Sequence, residues 1–229
     1  MEIEAVDVPD LWFELPPGFV EFNLHDDPES RILRMVDTAD ALFTSATQEQ
    51  KLRFVAAGEY ILQTMISAGA QHVSGCLLRM PGDKLSQGTL CVMIESPESG
   101  ALRQDRHGTA KATAAQWRSV FPDAEVGLVM LPYGISALCI RELDLLIPGV
   151  LFGLDSPVPT TVRQAQFCVP LKTGPGAALF VFTTEDIKHW AEYLEVLGGV
   201  MKSIAAEEPS WPDGSAPEGP LACVEGASS

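Results

Sequence analysis

There is no lysine or arginine before Arg31 and none after Lys202. Residues 1–29 instead carry nine acids (Glu2, Glu4, Asp7, Asp10, Glu14, Glu21, Asp26, Asp27 and Glu29), and residues 206–229 carry five (Glu207, Glu208, Asp213, Glu218 and Glu225). The segment between them holds 17 acids against 15 bases, so the net charge of -16 sits at the ends and the body is close to neutral. Phosphate binding needs clustered cations, so this distribution argues against DNA, RNA and anionic lipid as partners. A long apolar run is also missing. The longest, Leu145 to Leu154, is interrupted by Pro148 and Gly149 and is far short of a bilayer span. The first residues have neither a basic stretch nor an apolar one behind it, so no secretion signal is expected.

The recurrent catalytic and metal-binding spacings are absent too. His25, His72, His107 and His189 are too scattered for two imidazoles one helical turn apart. Gly134-Ile135-Ser136-Ala137-Leu138 starts like a nucleophile elbow, but Leu138 replaces the glycine that permits the strained turn, and the segment leads into a strand. Gly174-Pro175-Gly176 lacks the lysine and hydroxyl residue of a phosphate loop and reads as a hairpin turn. His25-Asp26-Asp27 is accounted for by helix capping. The five cysteines show no C-x-x-C spacing. Four of them (Cys76, Cys91, Cys139 and Cys168) lie in apolar runs as small core residues. The odd count and missing signal point to reduced thiols and a cytoplasmic protein, with Cys223 exposed in the tail. Nothing calls for a cofactor or metal, and no catalytic residue is assigned.

What is present reads as one α+β domain. Phe19-Val20-Glu21-Phe22, after the turn Pro16-Pro17-Gly18, is a short edge strand. Asp27-Pro28-Glu29 opens a helix that places Ile32, Met35, Val36, Ala39, Leu42 and Phe43 on one face. Thr47 and Gln50 form a capping box for a second helix with apolar positions Leu52, Val55, Ala56, Ile61, Leu62, Met65 and Ile66, stopped at Gly69. Strands are expected at Val73–Met80 and Leu90–Ile94 around a Pro81-to-Lys84 turn, then an alanine-rich helix over 102–121. Strands follow at Glu125–Leu131 and Ile135–Leu143, and a loop over 146–159 that crosses the sheet. A closing hairpin leads to a helix opened by Thr184, with an apolar face of Ile187, Trp190, Ala191, Leu194, Leu197, Met201 and Ile204. Gly198-Gly199 inside it implies close packing or a bend, since each glycine costs about 1 kcal/mol relative to alanine. Strands grouped by hairpin links favour an antiparallel sheet of about six strands with helices on its faces. The domain plan is an acidic arm and first strand over 1–26, a single domain over 27–205 and a disordered acidic tail over 206–229.

Three segments carry a family resemblance: Pro16-Pro17-Gly18-Phe19-Val20, the strand from Thr161 to Pro170, and Ala178 to Thr184 leading into a helix that reaches Ile204. Together they cover about a third of the chain, and the likeness is structural. In these the chain resembles the PsbP-like α/β/α sandwich, shared by photosystem extrinsic proteins, a Ran-binding nuclear transport factor and many small actinobacterial proteins. Its alanine- and glycine-rich style is similar to that of uncharacterised cytoplasmic actinobacterial members, some associated with type VII secretion. Secreted members carry a signal peptide or a lipid-anchored cysteine, and neither is seen here. The resemblance implies binding of other proteins.

Two candidate partner-binding groups follow. Arg103, Arg106, His107, Lys111 and Arg118 are the one local excess of positive charge, suited to an acidic partner segment or a small anion, and equally to docking the protein's own acidic ends or solvating a helix face. Trp12 and Phe13, with Leu11, form an apolar patch in the acidic arm that either anchors a partner or pins the arm to the core. The functional expectation is a non-catalytic, cytoplasmic protein-binding or chaperone-like accessory module, as monomer or homodimer. The alternative is a small-ligand binder or enzyme with a pocket near residues 135–159.

Overall fold

The computed structural model describes residues 11–80, 84–95, 105–172, 176–209 and 221–224. Within them the order is β1 (Leu11–Glu14), β2 (Phe19–Phe22), α1 (Pro28–Leu42), α2 (Gln48–Ser67), β3 (Ala70–Met80), β4 (Lys84–Glu95), α3 (Arg106–Val120), β5 (Glu125–Leu131), β6 (Gly134–Ile147), β7 (Val158–Pro170), β8 (Ala177–Thr184), α4 (Trp190–Ser203) and β9 (Leu221–Val224). The fold is α+β. A seven-stranded, wholly antiparallel sheet runs β2-β3-β4-β8-β7-β6-β5, and β1 pairs with β9 in a separate two-stranded ribbon.

Local chemistry sets the helix ends. Asp27 accepts from the Ser30 N–H at 3.0 Å with Pro28 in the first turn, and Thr47 and Gln50 close the expected reciprocal box at 3.2 and 2.9 Å. Gly69 follows α2 at φ 89°, a left-handed value that side chains resist. Asp105 caps α3 by accepting from the Gly108 N–H, so that helix begins at Arg106 rather than 102; residues 102–104 lie outside the described set, as do 81–83 and 173–175 with the turns expected there.

Strand alternation then sorts side chains between two faces. On one face Leu90, Val92, Ala165, Phe167, Phe180 and Phe182 meet α4 and the β1–β9 ribbon in the larger core. On the other, Val73 and Cys91 pack under α1 and α2 through Met35, Ala39, Val55 and Leu62, while Ala137, Cys168 and Ala177 pack under Ala114 of α3. Helices therefore cover both faces.

Several expectations need correction. The 146–159 segment does not cross the sheet: β6 and β7 are register partners out to Ile147 and Val158, and a 3-10 turn at Gly149–Phe152 packs on α2. Thr184 ends β8, and α4 begins at Trp190 after a short 3-10 turn. The buried face of α4 is Trp190, Tyr193, Leu197, Val200 and Met201, while Ala191 is exposed. Gly198 and Gly199 touch nothing that a methyl group would displace, so close packing does not explain them. The 206–229 segment contains β9, whose Leu221, Ala222, Cys223 and Val224 lie opposite Glu14, Phe13, Trp12 and Leu11. Cys223 is accordingly half-buried rather than exposed.

Candidate functional site

The two sequence-derived groups are not brought together. Trp12 and Phe13 lie in β1, whose other edge is held to the end of α4 by Trp12 N–H to Ala205 carbonyl (3.0 Å), Ala205 N–H to Trp12 carbonyl (2.8 Å) and Glu14 N–H to Ser203 Oγ (2.8 Å). Phe13 is fully buried, edge-on to His72 and Phe180 at centroid distances of 5.1 and 5.2 Å. Burying a ring of that size stabilises by about 2–3 kcal/mol. Phe13 therefore pins the arm and is not offered to a partner; Trp12 is half-buried beside it.

The basic group divides. Arg106 is turned inward as a clamp: its Nε donates to the Pro170 carbonyl at 3.1 Å, its Nη2 to the Tyr133 carbonyl at 2.7 Å, and its guanidinium lies over the Tyr133 ring. His107, Lys111 and Arg118 are exposed on α3, and Arg118 Nη2 donates to the Val126 carbonyl at 3.2 Å. Arg103 lies outside the described residues.

One cluster has the residue types of a hydrolase and the wrong connectivity. Ser86 Oγ is 2.6 Å from Tyr193 Oη, and His189 Nδ1 is 2.7 Å from Asp186 Oδ2. Asp186 is held below its ordinary value, first by the Ser86 hydroxyl and then by His189. The aspartate thus stands between serine and histidine, whereas nucleophilic catalysis needs the imidazole next to the hydroxyl. Thr184 Oγ1 donates to the Gln87 carbonyl at 2.7 Å and accepts from the Asp186 N–H at 3.1 Å. The network fixes the turn from β8 into α4. Sequence reasoning missed it because Ser86 and Gln87 lie about a hundred residues from Thr184, Asp186, His189 and Tyr193, and no local pattern joins the two groups.

Burial governs the remaining nucleophiles. It pushes the Cys76 thiol up to about 12 and that of Cys91 to about 11, and raises those of Cys139 and Cys168, so none is a ready thiolate. Ser136 is buried within β6. Among the described residues no three His, Cys, Asp or Glu side chains converge on a possible metal position, and no helix is long and apolar enough to cross a membrane.

A cleft of about 520 Å³, open to solvent, lies between the end of α3 and strands β5 to β7 and includes Phe121, Asp123, Glu125, Arg141, Glu142 and Arg163. It adjoins the pocket expected beside residues 135–143, but the 146–159 segment does not line it. Its cations are largely engaged, although the buried Arg163 Nε has no hydrogen-bond partner among the described residues. Arg141 donates twice to Gln164 and covers the Phe121 ring at 3.8 Å; Arg163 pairs with Glu125 at 3.2 Å and Glu142 at 3.6 Å. Among the described residues that Nε is a single unpartnered buried donor, fewer than the several convergent polar groups that usually orient a small molecule.

The outer surface of the helix pair is more informative. Ile32, Phe43, Leu52 and Ile61 belong to the apolar faces expected to be buried, yet all are exposed, as are Leu33, Phe54 and Tyr60. The 3-10 turn on α2 adds exposed Val150, and nearby Leu146 and Leu154 are exposed as well. Phe43 and Phe54 meet edge-on at 5.1 Å on this surface. Phe43 and Phe54 form the grouped part of this surface, whereas Leu52 and Ile61, nine residues apart, fall about 180° apart around α2 and lie on its two flanks. Grouped exposed apolar side chains mark contact surfaces more often than singly scattered ones do. Comparison of the chain with family models, curated proteins and solved structures finds no match.

Proposed function

We propose that the chain is a non-catalytic, cytoplasmic protein-binding module, an accessory or chaperone-like factor of PsbP-like architecture, linked to a secretion or effector system. The observation that carries this reading is the exposed apolar surface of α1, α2 and the β6–β7 tip. Helices pack on both sheet faces, the opening of about 180 Å³ left between α2 and strands β4, β7 and β8 is lined mainly by apolar and hydroxyl side chains, and the residue types of a nucleophilic site are wired as a structural turn. The partner is a protein with a complementary apolar face, because an interface core favours aromatic and aliphatic anchors such as Phe54, Tyr60 and Val150.

The test compares wild-type protein with Phe54→Asp and Val150→Asp variants, each introduced in the cell of origin and recovered by affinity capture with quantitative mass spectrometry. The reading expects one protein recovered with the wild type and depleted about tenfold or more with both variants, the effect of losing one good anchor. Equal recovery with variants and wild type would contradict it. Circular dichroism melts confirm that the variants fold.

A further inference from the structure

The seven-stranded sheet ends at β5 among the described residues, and that edge is open in a specific way. Leu131 and Gly134 face each other across the two-residue loop Pro132-Tyr133. In such a hairpin the residues next to the loop exchange hydrogen bonds, and the pattern alternates along the ladder. Leu131, Val129 and Gly127 therefore spend their main-chain groups on β6, while Val126, Leu128 and Met130 turn theirs outward. Arg118 corroborates this phase independently, since its guanidinium reaches the Val126 carbonyl from outside the ladder. At Leu128 and Met130 the side chains are exposed too, Met130 by 77%. From Val126 to Leu131 the strand has no charge and no proline, the devices that usually blunt an edge.

A stripe of donors runs beside it. At about 100° per residue, His107, Lys111 and Arg118 fall within about 40° of one another around α3. Arg118 places that stripe on the outer side of β5, and α3 contains no acid from Arg106 to Val120. Pairing β5 with a second copy of itself would bring two such stripes together, which like charge opposes. An acidic strand meets none of that opposition.

We infer that the β5 edge accepts an extended, acidic segment of a partner protein as an eighth strand. Leu128 and Met130 supply the main-chain hydrogen bonds, and Lys111, Arg118 and His107 read the acids. The inference rests on the protein-binding reading and adds a second contact surface to it.

The experiment uses the full chain, labelled with nitrogen-15, titrated with a capped seven-residue peptide of alternating glutamate and valine. The amide signals of Leu128 and Met130 should move, and an otherwise identical lysine–valine peptide should bind about tenfold more weakly, the combined effect of a few exposed charge pairs. Met130→Pro removes an outward N–H without touching the ladder to β6, and should abolish the response while the melting curve stays cooperative. Lys111→Glu, on an exposed helix position, should reverse the preference between the two peptides. The inference is overturned by unmoved Leu128 and Met130 signals, by equal binding of the two peptides, or by an unaffected Met130→Pro variant. Concentration-dependent movement of those signals without peptide would overturn it in favour of a second copy. Should the acidic peptide fail while the Phe54 and Val150 variants still lose their partner, the module reading stands and the β5 inference alone falls.

Discussion

The Arg31 guanidinium and the Glu59 carboxylate, from α1 and α2, meet at 2.5 Å with only 4% and 12% of their side chains exposed. Arg31 also donates to the Asp26 carbonyl, and Gln63 donates to Glu59 at 3.2 Å. The hydrogen bond from Arg31 holds the Glu59 carboxyl below its ordinary range. This pair fixes the register of the two helices that carry the exposed apolar side chains. Glu59→Ala leaves a buried guanidinium half-satisfied, and should destabilise by about 2 kcal/mol. That is less than a deeply buried pair would lose, since a single helical layer covers this one. Urea unfolding measures it; an unchanged midpoint would contradict the assignment.

Gly88 in β4 lies directly beneath the Phe182 ring, where a methyl group would overlap the ring carbons and crowd Cys76 Sγ. Phe182 is itself fully buried against Tyr193. Gly88→Ala is therefore expected to cost about 1–3 kcal/mol through overpacking, read as a lower melting temperature. A neutral result would mean that the ring is free to move.

Gly199 gives the opposite sign. Its position in α4 is exposed and opens onto empty space. Gly199→Ala should raise stability by about 0.5–1 kcal/mol by removing unfolded-state freedom and adding helix propensity. Denaturant melts test this, and a loss of stability would imply a packing partner at this site.

Acid should weaken the fold through a small set of carboxylates. Glu21 is held below its ordinary 4.5 by its hydrogen bond with His72, and Asp186 below 3.8 by Ser86. A carboxylate depressed in the folded state binds fewer protons there than when unfolded. Its contribution is thus present above the unfolded value and lost as pH falls through the folded one. Melting temperature should decline from about pH 5 downward, and Asp186→Asn should flatten that slope while lowering stability near neutrality. A slope identical to wild type would contradict the Asp186 contribution.

Much of the architecture was legible where the signal is local. The Asp27 cap, the Thr47–Gln50 box and the glycine stop at Gly69 each depend on neighbours within a few residues, and each appears in the structure. The β1–β9 ribbon was not legible, because four-residue strands at opposite ends of the chain carry no pairing code of their own. Periodicity also placed Ile32, Phe43, Leu52 and Ile61 on buried faces. It cannot tell that the helix pair is covered on one side only, and those four positions became part of the candidate surface. Among the basic residues, charge alone did not separate Arg106, used internally by Tyr133 and Pro170, from Lys111.

The most direct measurement places a photo-crosslinking amino acid at Tyr60, at Val150 and, as a control on a distant exposed position, at Glu195 of α4, each in the full chain within its native cell. The account predicts one and the same protein crosslinked from positions 60 and 150 and absent from position 195. Crosslinks that are absent, or indistinguishable from those at the control position, would contradict a protein-binding surface on the helix pair.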